Sequence, residues 1–293
     1  MFERILLLLD GSELSERSVP YAEELAGRLG SEVILFHNCK AEEQQFHHMH
    51  QIYSDNMTHL VQREINKRWS RSGVRVQGEA PVGEPIKTVC DYVKDKDIGL
   101  VVMVTHDGLG FNVIRAVSVP ILLIRAKAVP QVKGRKRLIN RILLPLDGSE
   151  AGKIALPFAE ELAVKLKARV TLFRMTRSSY AYAGMEGMAP SVGVDFSRID
   201  RAEERRIRTY LANIAEELRK KDIPVTYNTV LGTDPAYEII ELGKKVKADL
   251  VVMSTHGRSS LARWVLGSVA ERVLHEGNLP LLLVRQAGNQ KIE

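Results

Sequence analysis

The sequence predicts an α/β protein made of two tandem, doubly wound parallel sheets, each with five strands in the order 3-2-1-4-5. Three observations lead there. The first is an internal repeat: RILLLLDGSELSERSVPYAEELA from Arg4 and RILLPLDGSEAGKIALPFAEELA from Arg141 agree at 15 of 23 positions, at an offset of 137. The offset grows to 150 at Pro85/Pro235 and Val101/Val251, and to 160 at Pro120/Pro280. A repeat this long is a duplicated domain, not a solenoid unit. The second is the alternation of strand-like and helix-like segments within each copy, which requires parallel strands joined by helical crossovers. The third is that runs such as LVVM and PLLLV are apolar on both faces, so both faces of the sheet are covered. The expected domains are residues 1–127 and 138–288.

The second copy shows the elements in order. RILLPLD is an apolar run of strand length, followed by Ser149 as a helix N-cap. Ala155, Phe158, Ala159, Leu162, Ala163 and Leu166 then recur at helical spacing, giving one core-facing stripe. ARVTLFRM reads as the second strand, and SSYAYAGMEGMAPSVG as a long loop. RAEERRIRTYLANIAEELRKK reads as a helix, and IPVTYNTVL as the third strand. DPAYEIIELGKKV is a helix with Pro235 in its first turn. ADLVVMST and LPLLLVR are the last two strands, with SVAERVLHEG as a short helix between them. The final strands of the two copies, PILLIR and PLLLVR, are edge strands in need of partners.

Composition excludes several classes. The chain has 293 residues, 45% hydrophobic and 27% charged, as in a protein with a proper core. No apolar run approaches the ~20 residues of a membrane span, and ILLLLD near the N-terminus is too short for a signal peptide. Cys39 and Cys90 suit a reducing, cytoplasmic setting as free thiols. The net charge of +6 raises a nucleic-acid reading. However, the basic residues are interleaved with acidic ones, the pattern of a solvated helix face. The one basic run, KGRKR at 133–137, reads as a linker.

In doubly wound sheets ligands bind at the carboxyl ends of strands, where the strand order reverses. In a flavodoxin-like, Rossmann-like order that point lies between strands one and four. It sets Asp147 beside the stretch from Ser254 to Gly257. Gly257 lets backbone approach a ligand. Gly267 and Ser268 open a helix whose first amides and dipole favour phosphate, and Arg258 and Arg263 could add charge. Asp147 offers a carboxylate for ribose hydroxyls or a metal. Each feature also has a purely structural reading: Gly-Ser as a cap, Asp-Gly-Ser as a strand-to-helix turn, His256 as a loop residue. Spacing alone leaves both readings open, and no P-loop motif is present.

At these residues the chain resembles a tandem universal stress protein, over nearly its whole length. The ATP-binding class of that family carries G-x2-G-x9-G-[ST], and Ser254, Gly257, Gly267 and Ser268 occupy that pattern, with Ser at the first Gly position. The resemblance implies adenine and ribose contacts at Pro145, Asp147, Met175 and Met253. It implies triphosphate contacts at Ser254, Gly257, Gly267, Ser268 and Val269. Met175 matches by position and not by residue type.

The first copy departs from this pattern. Leu8 replaces the Pro, Asp107 stands where the Gly should be, the loop is ten residues shorter, and no Gly-Ser precedes its helix. It is not expected to bind ATP in the family manner. His47, His48 and His50, with Cys39 nearby, could ligate a metal or belong to a solvated loop and helix start. The expected function is a cytoplasmic stress-response protein that binds ATP, with or without Mg2+, in its second domain. It would act as a regulator or interaction module with at most slow hydrolysis; no catalytic residue or metal ligand is assigned. Intrachain domain pairing about a pseudo-twofold axis is implied by the resemblance, and a homodimer is compatible with it. A nucleotide-independent dimeric scaffold and a nucleotidyl-transfer enzyme are the alternatives.

Overall fold

The computed structural model describes residues 1–70, 73–105, 109–125, 137–179, 195–255 and 266–285. Two compact units divide the chain. One gathers Met1–Leu138 with the segment from Asn278 onward, and the other Ile139–Ser260 with Leu266–Gly277.

The first unit contains β1 (Arg4–Leu8), α1 (Val19–Leu29), β2 (Glu32–Phe36), α2 (His47–Arg68), β3 (Val76–Glu79), α3 (Pro85–Asp95), β4 (Leu100–Thr105), α4 (Leu109–Ala116) and β5 (Ile121–Arg125). β1 pairs in parallel with β2 and β4, β2 with β3, and β4 with β5. The order is the expected 3-2-1-4-5. Ile5, Leu6, Leu7, Leu35, Val101 and Val102 are each at most 1% exposed, which identifies these runs as strands covered on both faces.

The second unit contains β6 (Arg141–Pro145), α5 (Glu150–Lys153), α6 (Ala155–Leu166), β7 (Arg169–Arg177), α7 (Phe196–Arg219), β8 (Val225–Gly232), α8 (Pro235–Lys245), β9 (Leu250–Ser254) and α9 (Ser268–Glu276). Its strands run β9-β6-β7-β8, all parallel. On α6 the anticipated stripe faces the core: Ala155, Ala159, Leu162, Ala163 and Leu166 are buried, and Phe158 is half-buried. α7 begins at Phe196, five residues before the segment read as helical, because Asp195 accepts from the Arg198 amide at 3.0 Å and caps it.

The last strand, β10 (Leu281–Val284), belongs to the first unit, not to the one built from its own repeat. It pairs antiparallel with β5 through Leu281↔Leu123, Leu282↔Leu122 and Leu283↔Ile121. The two edge strands singled out in the sequence thus meet. All six paired side chains are nearly inaccessible, and burying a residue of this kind contributes about 1.5–3 kcal/mol. Arg285 then donates to the carbonyls of Ile114, Arg115 and Val117, occupying acceptors at the end of α4.

The strand-to-helix turns at VGEP and LGTDP are both capped. Glu84 accepts from the amides of Ile86 (3.1 Å) and Lys87 (2.6 Å), and Asp234 from that of Tyr237 (3.2 Å), with Pro85 and Pro235 at the first helical position. Glu84→Ala is therefore expected to cost about 0.5–2 kcal/mol in urea unfolding. An unchanged midpoint would show that the cap is dispensable. Among the described residues, no helix is long and apolar enough to cross a membrane.

Candidate functional site

β6 pairs with β9 through Ile142↔Leu250 and Leu143↔Val251, so the carboxyl ends of strands one and four of this copy lie side by side. Pro145 ends β6 and is half-buried. At the end of β9, Met253, Ser254 and Thr255 are 7%, 8% and 4% exposed. Beyond β6 the Leu146 amide donates to the Phe173 carbonyl at 2.7 Å, and the chain turns. Asp147 Oδ1 accepts from the Ser149 amide at 2.9 Å and its hydroxyl at 2.7 Å, while Ser149 Oγ accepts from the Gly152 amide at 2.9 Å to cap α5. Gly148 sits at φ +81°, which glycine adopts freely.

The first copy builds the same turn. Asp10 Oδ1 accepts from the Ser12 amide at 2.9 Å and its hydroxyl at 2.6 Å, and Gly11 sits at φ +84°. The turn is therefore a shared structural device and does not by itself distinguish a ligand site. A further feature of the second copy lies at the end of its fourth strand. The Gly267 amide donates to the Thr255 carbonyl at 2.8 Å, which pins the start of α9 to the end of β9. Gly267 is the N-cap, extended at φ −62° and ψ 145°, and among the described residues no side chain caps this end. Ser268 is exposed, and Gly267 and Val269 are half-exposed. Uncapped first-turn amides and the helix dipole favour an anion here. Arg272 anchors the same helix to the start of α8, with Nη1 2.8 Å from both Asp234 oxygens. Those bonds to Arg272, before any other influence, hold the Asp234 carboxyl below its ordinary range.

Met175 lies on β7, opposite Val230. It is half-buried and close to Gly232, where a Cβ would come within 3.3 Å of its sulfur. Its strand flanks β6 on the side away from β9. Gly257, His256, Arg258 and Arg263 of the second copy, His106 and Asp107 of the first, and KGRKR except Arg137 lie outside the described residues.

Sequence reasoning did not single out Arg174. It is 8% exposed, with Cζ 5.2 Å from the Tyr210 ring centroid, and it lies against Gly148: a Cβ there would fall 2.2 Å from an Arg174 terminal nitrogen. Lys153 Nζ lies 5.9 Å from the same ring. The available signal was an arginine inside the otherwise apolar strand ARVTLFRM, since buried charge is rare without a purpose.

At the corresponding position, 137 residues earlier, the first copy has His37. It is 7% exposed, with Nδ1 3.1 Å from the Leu9 carbonyl and Nε2 2.8 Å from His50 Nδ1. The carbonyl can only accept, so His37 Nδ1 carries a hydrogen, and Nε2 of the neutral ring accepts from His50. His47 Nε2 lies 2.8 Å from the Ala80 carbonyl. These histidines are engaged with one another and with backbone. Among the described residues, no group of three or more His, Cys, Asp or Glu is placed to hold a metal. Cys39 is buried and Cys90 partly exposed, both as free thiols.

Repeated doubly wound sheets, with a crevice at the carboxyl ends of strands one and four, define a class of α/β proteins whose ligand position is the topological switch point. The chain belongs to the universal stress protein family, whose sequence model matches residues 1–125 and 139–285. Universal stress protein MJ0531 of Methanocaldococcus jannaschii is 31% identical over 156 residues, 53% of this chain and 87% of that protein. Universal stress protein Rv2005c of Mycobacterium tuberculosis is 30% identical over 146 residues, 50% of this chain and 45% of that protein. Among solved structures, a universal stress protein from Archaeoglobus fulgidus superposes with TM-score 0.64 at 17% identity, covering 98% of this chain and 97% of that one. PA1789 from Pseudomonas aeruginosa gives TM-score 0.68 at 16% identity, covering 98% and 93%. At these identities the structures speak for the fold alone.

Proposed function

We propose that the second copy, residues 138–288, binds ATP at the carboxyl ends of β6 and β9. The observation that carries this reading is the uncapped start of α9, pinned at Gly267 to Thr255 and presenting first-turn amides beside the end of the first strand. Phosphate oxygens would accept from the amides around Ser268 and Val269 and from the Ser268 hydroxyl, with Ser254 and Gly257 completing the cradle. Pro145, Asp147, Met175 and Met253 would hold the base and ribose. Asp147 is already oriented by Ser149, so its carboxylate would need little ordering to meet a ribose hydroxyl or a nucleotide-bound Mg2+. The described residues offer no general base held by a third group, so the nucleotide serves as a regulatory ligand with at most slow turnover. The first copy, residues 1–127, lacks the signature and does not take part in this binding. A cytoplasmic stress-response role, with nucleotide occupancy tuning an interaction or a homodimer, accords with this reading.

Calorimetric titration of the full-length chain tests it. One ATP per chain is expected, and Gly267→Val, which crowds the cradle at a backbone angle valine tolerates, should weaken binding by roughly ten-fold or more. Two ATP per chain would overturn the asymmetry between the copies. No binding would overturn the site and leave the scaffold reading, which the β5–β10 pairing favours.

A further inference from the structure

In the first copy His37 follows directly on β2, and His50 reaches it from the first turn of α2. Their rings stack with centroids 4.9 Å apart, and the Tyr53 ring lies 4.7 Å from that of His37. Tyr53 donates to Glu16 at 3.0 Å, which ties this part of α2 to the turn before α1. Two further carboxylates act on His37: Asp10, beyond β1, and Glu43, in the short turn Ala41–Phe46 that leads into α2.

Three of the four imidazole nitrogens are committed. His37 Nδ1 donates to the Leu9 carbonyl, and His37 Nε2 accepts from His50 Nδ1 at 2.8 Å. With its hydrogen on Nδ1, neutral His50 carries a lone pair on Nε2. Glu43 Oε2 faces that nitrogen at 3.9 Å, beyond hydrogen-bond distance. Two acceptors therefore look at each other across this gap. A proton added at His50 Nε2 would turn the gap into a charge-assisted contact without breaking any existing bond. A proton added at His37 Nε2 would set donor against donor. Burial holds the His37 pKa below its ordinary value; the Leu9 carbonyl opposes this, His50 adds to it, and Asp10 and Glu43 oppose it. The second copy has Arg174 at the place of His37, and a guanidinium does not titrate.

We propose that the His37–His50 pair is a proton-operated latch: it takes one proton from solvent at His50 Nε2, and the resulting charge draws Glu43 in and closes the turn Ala41–Phe46 onto the start of α2. Loss of the proton lets the turn go while His50 stays on His37. The device belongs to the first copy and does not rest on nucleotide binding by the second.

The test uses the full-length chain with isotope-labelled histidine, followed by NMR between about pH 5 and pH 8. Ring nitrogen shifts should show His37 protonated on Nδ1 alone throughout. His50 should pass on acidification from Nδ1 alone to both nitrogens. The Glu43 and His47 amides, bonded to the Lys40 and Gln44 carbonyls, report on the turn. Their protection, corrected for the intrinsic pH dependence of exchange, should rise on acidification by roughly two- to five-fold, the size of an exposed ion pair. Glu43→Gln should abolish that rise and leave the His37 tautomer as it is. His50→Gln keeps a donor towards His37 but cannot take up the proton, so protection should not change with pH. A His37 ring with its hydrogen on Nε2, or one that charges before His50, would overturn the proposal. So would wild-type protection that is flat across the range. A rise that survives in either variant would assign the response to other groups and overturn it as well. None of these outcomes depends on whether ATP binds.

Discussion

Replacing Gly148 by alanine is expected to destabilise the chain by about 2–4 kcal/mol, while the same change at Gly11 should cost only about 1–2 kcal/mol. The two glycines occupy equivalent turns, at φ +81° and +84°, so the left-handed backbone penalty is common to both. Their surroundings differ. A Cβ on Gly11 finds the nearest atom, His37 Cε1, at 3.4 Å, an ordinary contact. A Cβ on Gly148 meets the Arg174 guanidinium at 2.2 Å, and burial beneath Tyr210 leaves that side chain little room to yield. Urea unfolding of both variants measures the difference. Equal losses would show that Arg174 moves aside without cost and that the turn is loosely held. A larger loss at Gly148, together with weakened ATP binding, would tie the Asp147 turn to the arginine beneath it.

How much of this was legible beforehand follows from the range of the interactions. The strands came from apolar runs, which are local in the sequence, and from the repeat, while their order was taken from the flavodoxin-like pattern and not from any residue. Ser149, Pro85 and Pro235 were readable because capping chemistry spans only three or four residues. Asp195 was equally readable from its own cap and was passed over, so α7 starts earlier than expected. The grouping of β10 with the first unit was less accessible: the need of PILLIR and PLLLVR for partners was plain, but which unit would hold the pair depends on contacts more than 150 residues apart. Arg174 and Tyr210 come together only through the packing of α7 on the sheet, which a sequence pattern does not encode. The histidine stretch was left open between a metal and a solvated helix start for the same reason. Spacing alone does not show that His37 turns inward to Leu9 and His50, or that His47 reaches the Ala80 carbonyl.

Glu23→Gln is expected to reverse the pH dependence of stability. Glu23 lies on α1, 7% exposed, with Arg68 Nη1 3.5 Å away. Burial pushes its carboxyl up from 4.5 to about 7; Arg68 opposes this and Glu64 adds to it. The folded state therefore holds a proton that the unfolded chain has released between pH 4.5 and 7. Stability from this group is present below pH 4.5 and is lost as the pH rises through 7, to a ceiling of roughly 3 kcal/mol at ~1.4 kcal/mol per pH unit. His37 acts in the opposite sense. Burial lowers its pKa below 6.5, the Leu9 carbonyl opposes this, His50 lowers it further, and Asp10 and Glu43 raise it. Its contribution is present above pH 6.5 and is lost as the pH falls through the folded value. In the wild type the two partly cancel. Glutamine removes the Glu23 titration, so urea midpoints at pH 5, 6.5 and 8 should show the variant gaining about 1–3 kcal/mol on the wild type between the lowest and highest pH. The variant's remaining dependence should rise with pH, as His37 alone dictates. A wild-type-to-variant difference constant across that range would mean that Glu23 stays ionised throughout, held by Arg68 against its burial.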